Sequence, residues 1–342
     1  MPSGERLLLV QQNWLGDVLF ATPAIRALRR QYPKAHIAAL LPARVEAVLK
    51  NNPHLDEIII YNERAPVFSP VFWETVFFLR RKFFDTAVFF HSSRTKVRLA
   101  RWAGISNRWG YGSDQKLLTR AVDLPVKELH RIDHFLNLLQ SLEISPDGRA
   151  MEFFPDRTGE TGLEKLLRER GVALSEPYVV VHAGGNWGLK RWPTDYFSQW
   201  IYYFLEQYGW KVVLCGSADE ETIAQKIASK FSSTKVVSLC GKTSLDELAV
   251  LLKNAKLLLS NDSGPIHLAA SQKTRIIGLY GPTSPTLTGP VSEAPMKILW
   301  KDVGCRVPCY FRSCDYRVCM DLLLPQEVFL ETQKVLSADA KN

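Results

Sequence analysis

Residues 6–41 read RLLLVQQNWLGDVLFATPAIRALRRQYPKAHIAALL, and the fold class turns on this stretch. RLLLV is short, apolar and without alternation, the pattern of a parallel strand covered on both faces. AIRALRRQY is amphipathic: Ile25, Leu28 and Tyr32 fall at helical spacing while Arg26, Arg29 and Arg30 take the other side. HIAALL is again a short apolar run. Strand, helix, strand in this order predicts a parallel crossover unit.

Outward from there the alternation continues. EIIIY (57–61) and TAVFF (86–90) read as further strands of the first half, with RVEAVLKNN as an intervening helix. YVVVHA (178–183), KVVLCG (211–216), KVVSLC (235–240), KLLLSN (256–261) and RIIGLYG (275–281) repeat the pattern later. Between them lie DYFSQWIYYFLEQY, DEETIAQKIASKF and SLDELAVLLKNA, each with helical periodicity. The expectation is α/β architecture built on parallel sheets. At 342 residues the chain is long for one core, so two domains are expected. The polar segment FPDRTGETG (154–162) marks the boundary. The predicted domains are 1–160 and 161–325, with a last helix in 326–342 that packs back across one or both.

Apolar residues form 46% of the chain and charged residues 23%, a globular balance. The net charge of +8 favours anionic partners: phosphorylated ligands, nucleic acid or an acidic membrane surface. It is spread over clusters such as Arg29-Arg30, Arg80-Arg81-Lys82 and Arg94, Lys96, Arg98, Arg101. Taken singly, each cluster reads as a solvated helix face. Nowhere do about 18 uncharged apolar residues run together, and the apolar run near the start reads as a strand, not a targeting segment. A cytoplasmic protein, free or peripheral at a membrane, is expected.

In doubly wound sheets, ligands gather where strands end and loops lead to helix N-termini. Four such loops stand out. In QQNWLGDVLFATPAI (11–25), Gly16 allows a tight turn, and Asp17 is either a helix cap or a general base. In HAGGNWGLKRWPTDYF (182–197), Gly184, Gly185 and Asn186 can turn backbone N–H groups toward a phosphate, and Lys190 adds a mobile cation. In SNDSGPIHLAAS (260–271), Asp262 and Ser263 can cap a helix that Gly264 and Pro265 open. That helix N-terminus would favour a diphosphate, and His267 is either a core histidine or a phosphate donor. GLYGPTSPTLTGP (278–290) supplies further glycines, prolines and hydroxyls. No G-x-G-x-x-G, Walker or H-E-x-x-H spacing occurs, which disfavours nicotinamide chemistry, a P-loop and catalytic zinc.

NWLGDVLFATPAIRALRRQYP, HAGGNWGLKRWP, and SNDSGPIHLAAS followed by GLYGPTSP resemble, in order and spacing, the ADP-heptose:lipopolysaccharide heptosyltransferases of glycosyltransferase family nine, most of all the heptosyltransferase II type. The resemblance implies a GT-B fold: two Rossmann-like, doubly wound domains facing across a cleft, the first for the acceptor and the second for the nucleotide-sugar. It implies inverting transfer of heptose from ADP-heptose to the inner core of lipopolysaccharide, with no obligatory cofactor or metal. Asp17 then stands at the catalytic-base position. Lys190 stands at the phosphate-contacting position, and Asp262, Ser263, Gly264 and His267 stand in the donor element. GSADEE (216–221) resembles the region that reaches the nucleoside, with Asp219 or Glu220 at the ribose. The implied partners are the donor, a lipid-linked anionic acceptor and the cytoplasmic face of the inner membrane, not nucleic acid. Other GT-B transferases with a different sugar or base, or an idle sugar-nucleotide binder, are the alternatives.

Six cysteines are unevenly placed. Cys215 and Cys240 lie in apolar runs and read as core residues. Cys305, Cys309, Cys314 and Cys319 crowd together without the paired C-x₂-C knuckles of zinc ribbons. Reduced structural thiols are expected there, with a structural zinc or a disulfide as the alternative and an iron–sulfur site as the third.

Overall fold

The computed structural model describes residues 6–67, 69–91, 93–112, 117–309, 311 and 313–338. The chain divides into two compact units, Met1–Phe154 and Pro155–Asn342.

The first unit is built on strands β1 (Arg6–Val10), β2 (His36–Leu41), β3 (Glu57–Ile60), β4 (Thr86–Phe89), β5 (Asn107–Tyr111) and β6 (Arg120–Val122). They form one six-stranded sheet in the order β3-β2-β1-β4-β5-β6, and every neighbouring pair is parallel. Leu7 through Val10 are fully buried, as an unalternating apolar strand in the middle of such a sheet must be.

The second unit repeats this plan with β7 (Tyr178–His182), β8 (Lys211–Leu214), β9 (Val236–Ser238), β10 (Leu258–Asn261), β11 (Ile276–Leu279) and β12 (Met296–Leu299). Its order is β12-β11-β10-β7-β8-β9, again wholly parallel. Counted from each unit's own first strand, both sheets run 3-2-1-4-5-6. In each, the order reverses beside the first strand: at β1/β4 in one unit and at β7/β10 in the other. A doubly wound sheet opens its ligand crevice at that place.

Helix Thr194–Tyr208 shows how the second core is closed. Phe197, Trp200, Ile201 and Phe204 recur at i, i+3, i+4 and i+7 and are fully buried. Gly209, at φ 65°, ends the helix in the left-handed conformation, its N–H returning to the Leu205 carbonyl. The last helix, Pro325–Ser337, packs on this one within the second unit, where Trp200 Nε1 donates to Thr332 Oγ1 at 3.1 Å.

Two features depart from the sequence reading. Residues 154–162 are not simply a linker: helix Arg157–Arg168 begins there, its start capped by Asp156, whose carboxylate accepts from the Thr158 N–H. Gly159 and Gly162 belong to this helix because helix Leu245–Asn254 approaches so closely. A Cβ on Gly159 would lie 3.1 Å from the Asp246 backbone, and one on Gly162 would overlap the Glu247 carboxylate. Strands β5, β6 and β12 were also not apparent. NRWGY and RAV are polar and short, and Met296 and Lys297 of β12 are exposed at a sheet edge.

Candidate active site

At the second unit's switch point the loop after β7 meets the loop after β10. His182, the last residue of β7, is buried and bridges two groups. Its Nε2 lies 3.3 Å from Glu220 Oε2, and its Nδ1 lies 2.9 Å from Ser263 Oγ. A carboxylate only accepts, so Nε2 carries a proton, and Nδ1 and the Ser263 hydroxyl share the second hydrogen bond. Ser263 therefore stands at the N-cap position of helix Gly264–Ser271 without its side chain capping that helix. Pro265 has no N–H and the Ile266 N–H returns to the Ser263 carbonyl at 3.2 Å, so in the first turn it is the Gly264 N–H that can meet an anion.

Glu220 is the hub of this arrangement. Its Oε1 accepts from the Gly185 N–H, and its Oε2 accepts from the Ser217 N–H at 2.7 Å as well as from His182. Burial would raise its pKa, but the His182 hydrogen bond and charge and the two N–H donors outweigh burial and hold it down at about 2. Gly184 has no room for a side chain, since a Cβ there would sit 2.0 Å from Glu220 Oε1. The Gly185 N–H, expected to face a phosphate, is thus spent on Glu220. Both Glu220 oxygens, expected near a ribose, are turned into the protein. Asp219 is exposed at the same helix start, and Asn186 is exposed in the Gly-rich loop.

Asn261, the last residue of β10, fixes the same loop from the other side. Its Nδ2 donates to the Ala183 and Gly184 carbonyls at 3.0 and 2.9 Å, and its Oδ1 accepts from Trp192 N at 3.0 Å. Arg191 donates twice to the Gly185 carbonyl. Beyond this frame Lys190 Nζ reaches Asp262 Oδ2 at 2.7 Å, and Thr283 Oγ1 donates to the same oxygen at 2.6 Å. Asp262 is buried while Lys190 keeps 23% of its side chain exposed, so the ammonium is held at the site's surface with further N–H groups to offer. His267 is buried within helix Gly264–Ser271. Lys190, Asp262, Ser263 and Gly264 are thus brought together, and Thr283 joins them from the Gly-Pro-Thr-Ser-Pro element. His182 and Asn261 were missed. The Ser-x-x-Glu spacing of Ser217 and Glu220 is a capping-box signal that could have revealed Glu220's inward role.

At the first unit's switch point, Asp17 follows β1. It sits inside helix Leu15–Phe20 and makes no cap hydrogen bond; the N-cap residue is Trp14. Its Oδ1 instead accepts from Arg131 Nε at 3.1 Å, and its side chain is 25% exposed. Nearby lies a cavity of about 260 Å³, lined among others by Asn13, Tyr61, Glu63, Thr75, His91 and Lys96. Lys96 is buried, donating to the Gln11 carbonyl at 2.8 Å and to Asn13 Oδ1 at 3.1 Å. Burial pulls its pKa down to about 7. Glu63 is paired with Arg44, whose guanidinium also covers the Trp14 ring at 4.9 Å. Burial and then the Lys96 charge push the His91 imidazole below its usual range; Arg131 adds to this and Asp17 opposes it.

Among the described residues no group of three or more His, Cys, Asp or Glu side chains is arranged to hold a metal. All six cysteines are free. Burial, followed by the neighbouring Cys314 and Cys305, raises the Cys319 thiol.

The model of glycosyltransferase family 9 (heptosyltransferase) matches residues 78–315. Lipopolysaccharide heptosyltransferase 3 of Escherichia coli K12 is 28% identical to this chain over 341 residues, covering 95% of the chain and 96% of that protein. Lipopolysaccharide heptosyltransferase 2 of the same strain is 25% identical over 310 residues, covering 84% and 86%. The solved structure of E. coli ADP-heptose lipopolysaccharide heptosyltransferase II, at 22% identity, superposes with a TM-score of 0.80 over 97% of this chain and 98% of that one. The two six-stranded parallel sheets are those of the GT-B fold. Well over half of the sequence lies within the family match, and the chain belongs to glycosyltransferase family 9, the heptosyltransferases.

Proposed function

We propose that this glycosyltransferase moves heptose from ADP-heptose to the inner core of lipopolysaccharide, with inversion at the anomeric carbon. The observation that carries the reading is the Lys190–Asp262–Thr283 cluster beside the uncapped start of helix Gly264–Ser271. A cation and the Gly264 N–H at the positive end of a helix, on a rigid frame, suit a leaving diphosphate, because they meet the charge that develops as the sugar–phosphate bond breaks. Glu220, His182 and Asn261 act on the donor indirectly, by holding the loop and the Ser263 hydroxyl.

The first unit takes the acceptor. Asp17 receives the proton of the attacking hydroxyl on Oδ2 while Arg131 holds Oδ1. The acceptor oxygen bonds to the anomeric carbon, and ADP departs with the electron pair of the broken C–O bond. Asn13, Thr75 and Lys96 give a nearby cavity hydrogen-bonding groups suited to a saccharide. The acceptor is lipid-linked, which puts the enzyme at the cytoplasmic face of the inner membrane. No helix among the described residues is long and apolar enough to cross a membrane. The chemistry above asks for no metal or cofactor.

A panel of nucleotide-sugars tests the donor reading. ADP-heptose should support acceptor-dependent turnover at least tenfold above UDP-, GDP- and other ADP-sugars. Equal or better use of another donor would assign the chain a different sugar or base. Donor binding without turnover on any acceptor would make it a binding protein.

A further inference from the structure

Helix Pro70–Arg81 has two unlike faces. Phe72, Val76 and Leu79, at i, i+4 and i+7, are buried in the first unit's core. On the other side Val71, Phe77 and Phe78 are 43%, 54% and 44% exposed, and Phe83, just beyond the helix end, is 80% exposed. Single exposed aromatics are ordinary, but three phenylalanines between positions 77 and 83 form a patch.

The same turn carries positive charge. Arg80 and Arg81 are exposed, and Lys82 places its ammonium 5.1 Å from the Phe78 ring centre while pairing with Glu57 at 2.6 Å. Helix Arg94–Trp102 lies alongside, with Trp102 stacked on Trp73 at 5.1 Å, and exposes Arg98. Glu74 is the exposed acid of helix Pro70–Arg81. Aromatic rings interleaved with arginines match the boundary between anionic headgroups and acyl chains. They do not match a second copy of the same face, which would bring like charges together.

We propose that the Phe77, Phe78 and Phe83 face of this helix seats on an anionic lipid bilayer, with Arg80 and Arg81 on the lipid phosphates. The purpose of such docking rests on the lipid-linked acceptor proposed above, whereas the surface itself is read from the fold. Phe72 and Thr75 of the same helix line the cavity that holds Lys96 and His91. A docked helix thus sets that cavity about one helix diameter, roughly 10 Å, from the lipid surface.

Flotation with vesicles tests this on the full chain. Vesicles of phosphatidylcholine alone are compared with vesicles containing phosphatidylglycerol, using wild type, Phe77→Ser/Phe78→Ser and Arg80→Glu/Arg81→Glu. Wild type should bind the anionic vesicles at least tenfold better than the neutral ones. Either double variant should lose roughly ten- to thirty-fold of that binding, the scale of two arginines near an anionic surface. Turnover on a deacylated, soluble acceptor should stay within twofold, with unchanged ADP affinity as the check on folding; Phe83→Ser alone serves if a double variant misfolds. Equal binding to both vesicle types, or full binding by the variants, would overturn the proposal. So would a wild-type dimer that the variants convert to monomer, because the face would then be a protein interface. Absence of transfer to the soluble acceptor by wild type would count against the heptosyltransferase reading and leave the vesicle result standing.

Discussion

Glu220 Oε2 and His182 Nε2 lie 3.3 Å apart inside the second unit, and through the far side of the ring this contact reaches the Ser263 hydroxyl. One buried carboxylate thereby ties together the ends of β7, β8 and β10 at the candidate donor site. Glu220→Gln keeps the shape and removes the charge, so ADP affinity should fall about tenfold, the scale of one charge-assisted hydrogen bond. Calorimetry with ADP measures this; unchanged affinity would reduce the contact to packing.

The same residue sets a pH dependence. The folded-state pKa of Glu220 is held at about 2, below its ordinary 4.5. A depressed carboxylate contributes stability that is present in full above 4.5 and is lost as pH falls toward 2. Wild type should therefore exceed Glu220→Gln by roughly 1–3 kcal/mol at pH 5, a range that allows for solvent screening. The difference should shrink steadily below pH 4.5. Melting curves at stepped pH check it, and a pH-independent difference would contradict the charge argument.

Asp17→Asn should lower turnover by roughly two to four orders of magnitude, the range for loss of a general base. Melting temperature and ADP affinity should hardly move, because the Asp17 side chain caps no helix and its protein contact is one partly exposed pair with Arg131. Steady-state rates beside melting curves separate the two roles. Turnover like wild type would remove Asp17 from the reaction.

Lys190→Ala and His267→Ala should both weaken ADP binding while leaving acceptor KM within about twofold. For Lys190→Ala the loss should be ten- to hundredfold, on the scale of about 1.5–3 kcal/mol for a charge-assisted contact. That variant should also lose stability, since Asp262 is 4% exposed and would lose its partner charge. ADP titration of both variants decides; wild-type affinity in both would remove these two residues from the donor site.

Cys305, Cys309, Cys314 and Cys319 are expected to work as reduced thiols that brace the C-terminal segment, where Cys319 packs against the second core and close to Gly281. Purified protein should be active with well under one metal per chain, and a chelator should leave its rate unchanged. One tightly held zinc or iron per chain, with folding or activity lost on its removal, would reverse this.

Much of the architecture could be read from apolar runs alone, because strands buried on both faces, such as β1 and β7, carry polar residues only at their ends. Strands at or near an edge, such as β5, β6 and β12, carry mixed residues and escaped notice. The loops that bear Asp17, Lys190 and Asp262 were legible because glycine and proline punctuate strand ends. What each side chain does inside those loops was not. Whether Glu220 faces a ribose or the protein depends on Gly184 and Gly185 folding over it, and Lys96 is buried only because helices and strands distant in sequence close around it. Such contacts are set by topology, which spacing along the chain does not encode.

The most direct test is release of ADP from ADP-heptose by the wild-type chain, with and without a series of truncated lipopolysaccharide acceptors. Release should depend on one acceptor length, at least a hundredfold above the rate without acceptor, and yield an inverted glycosidic bond on that acceptor. ADP release that no lipopolysaccharide acceptor stimulates, or a product with retained configuration, would contradict heptose transfer by direct displacement.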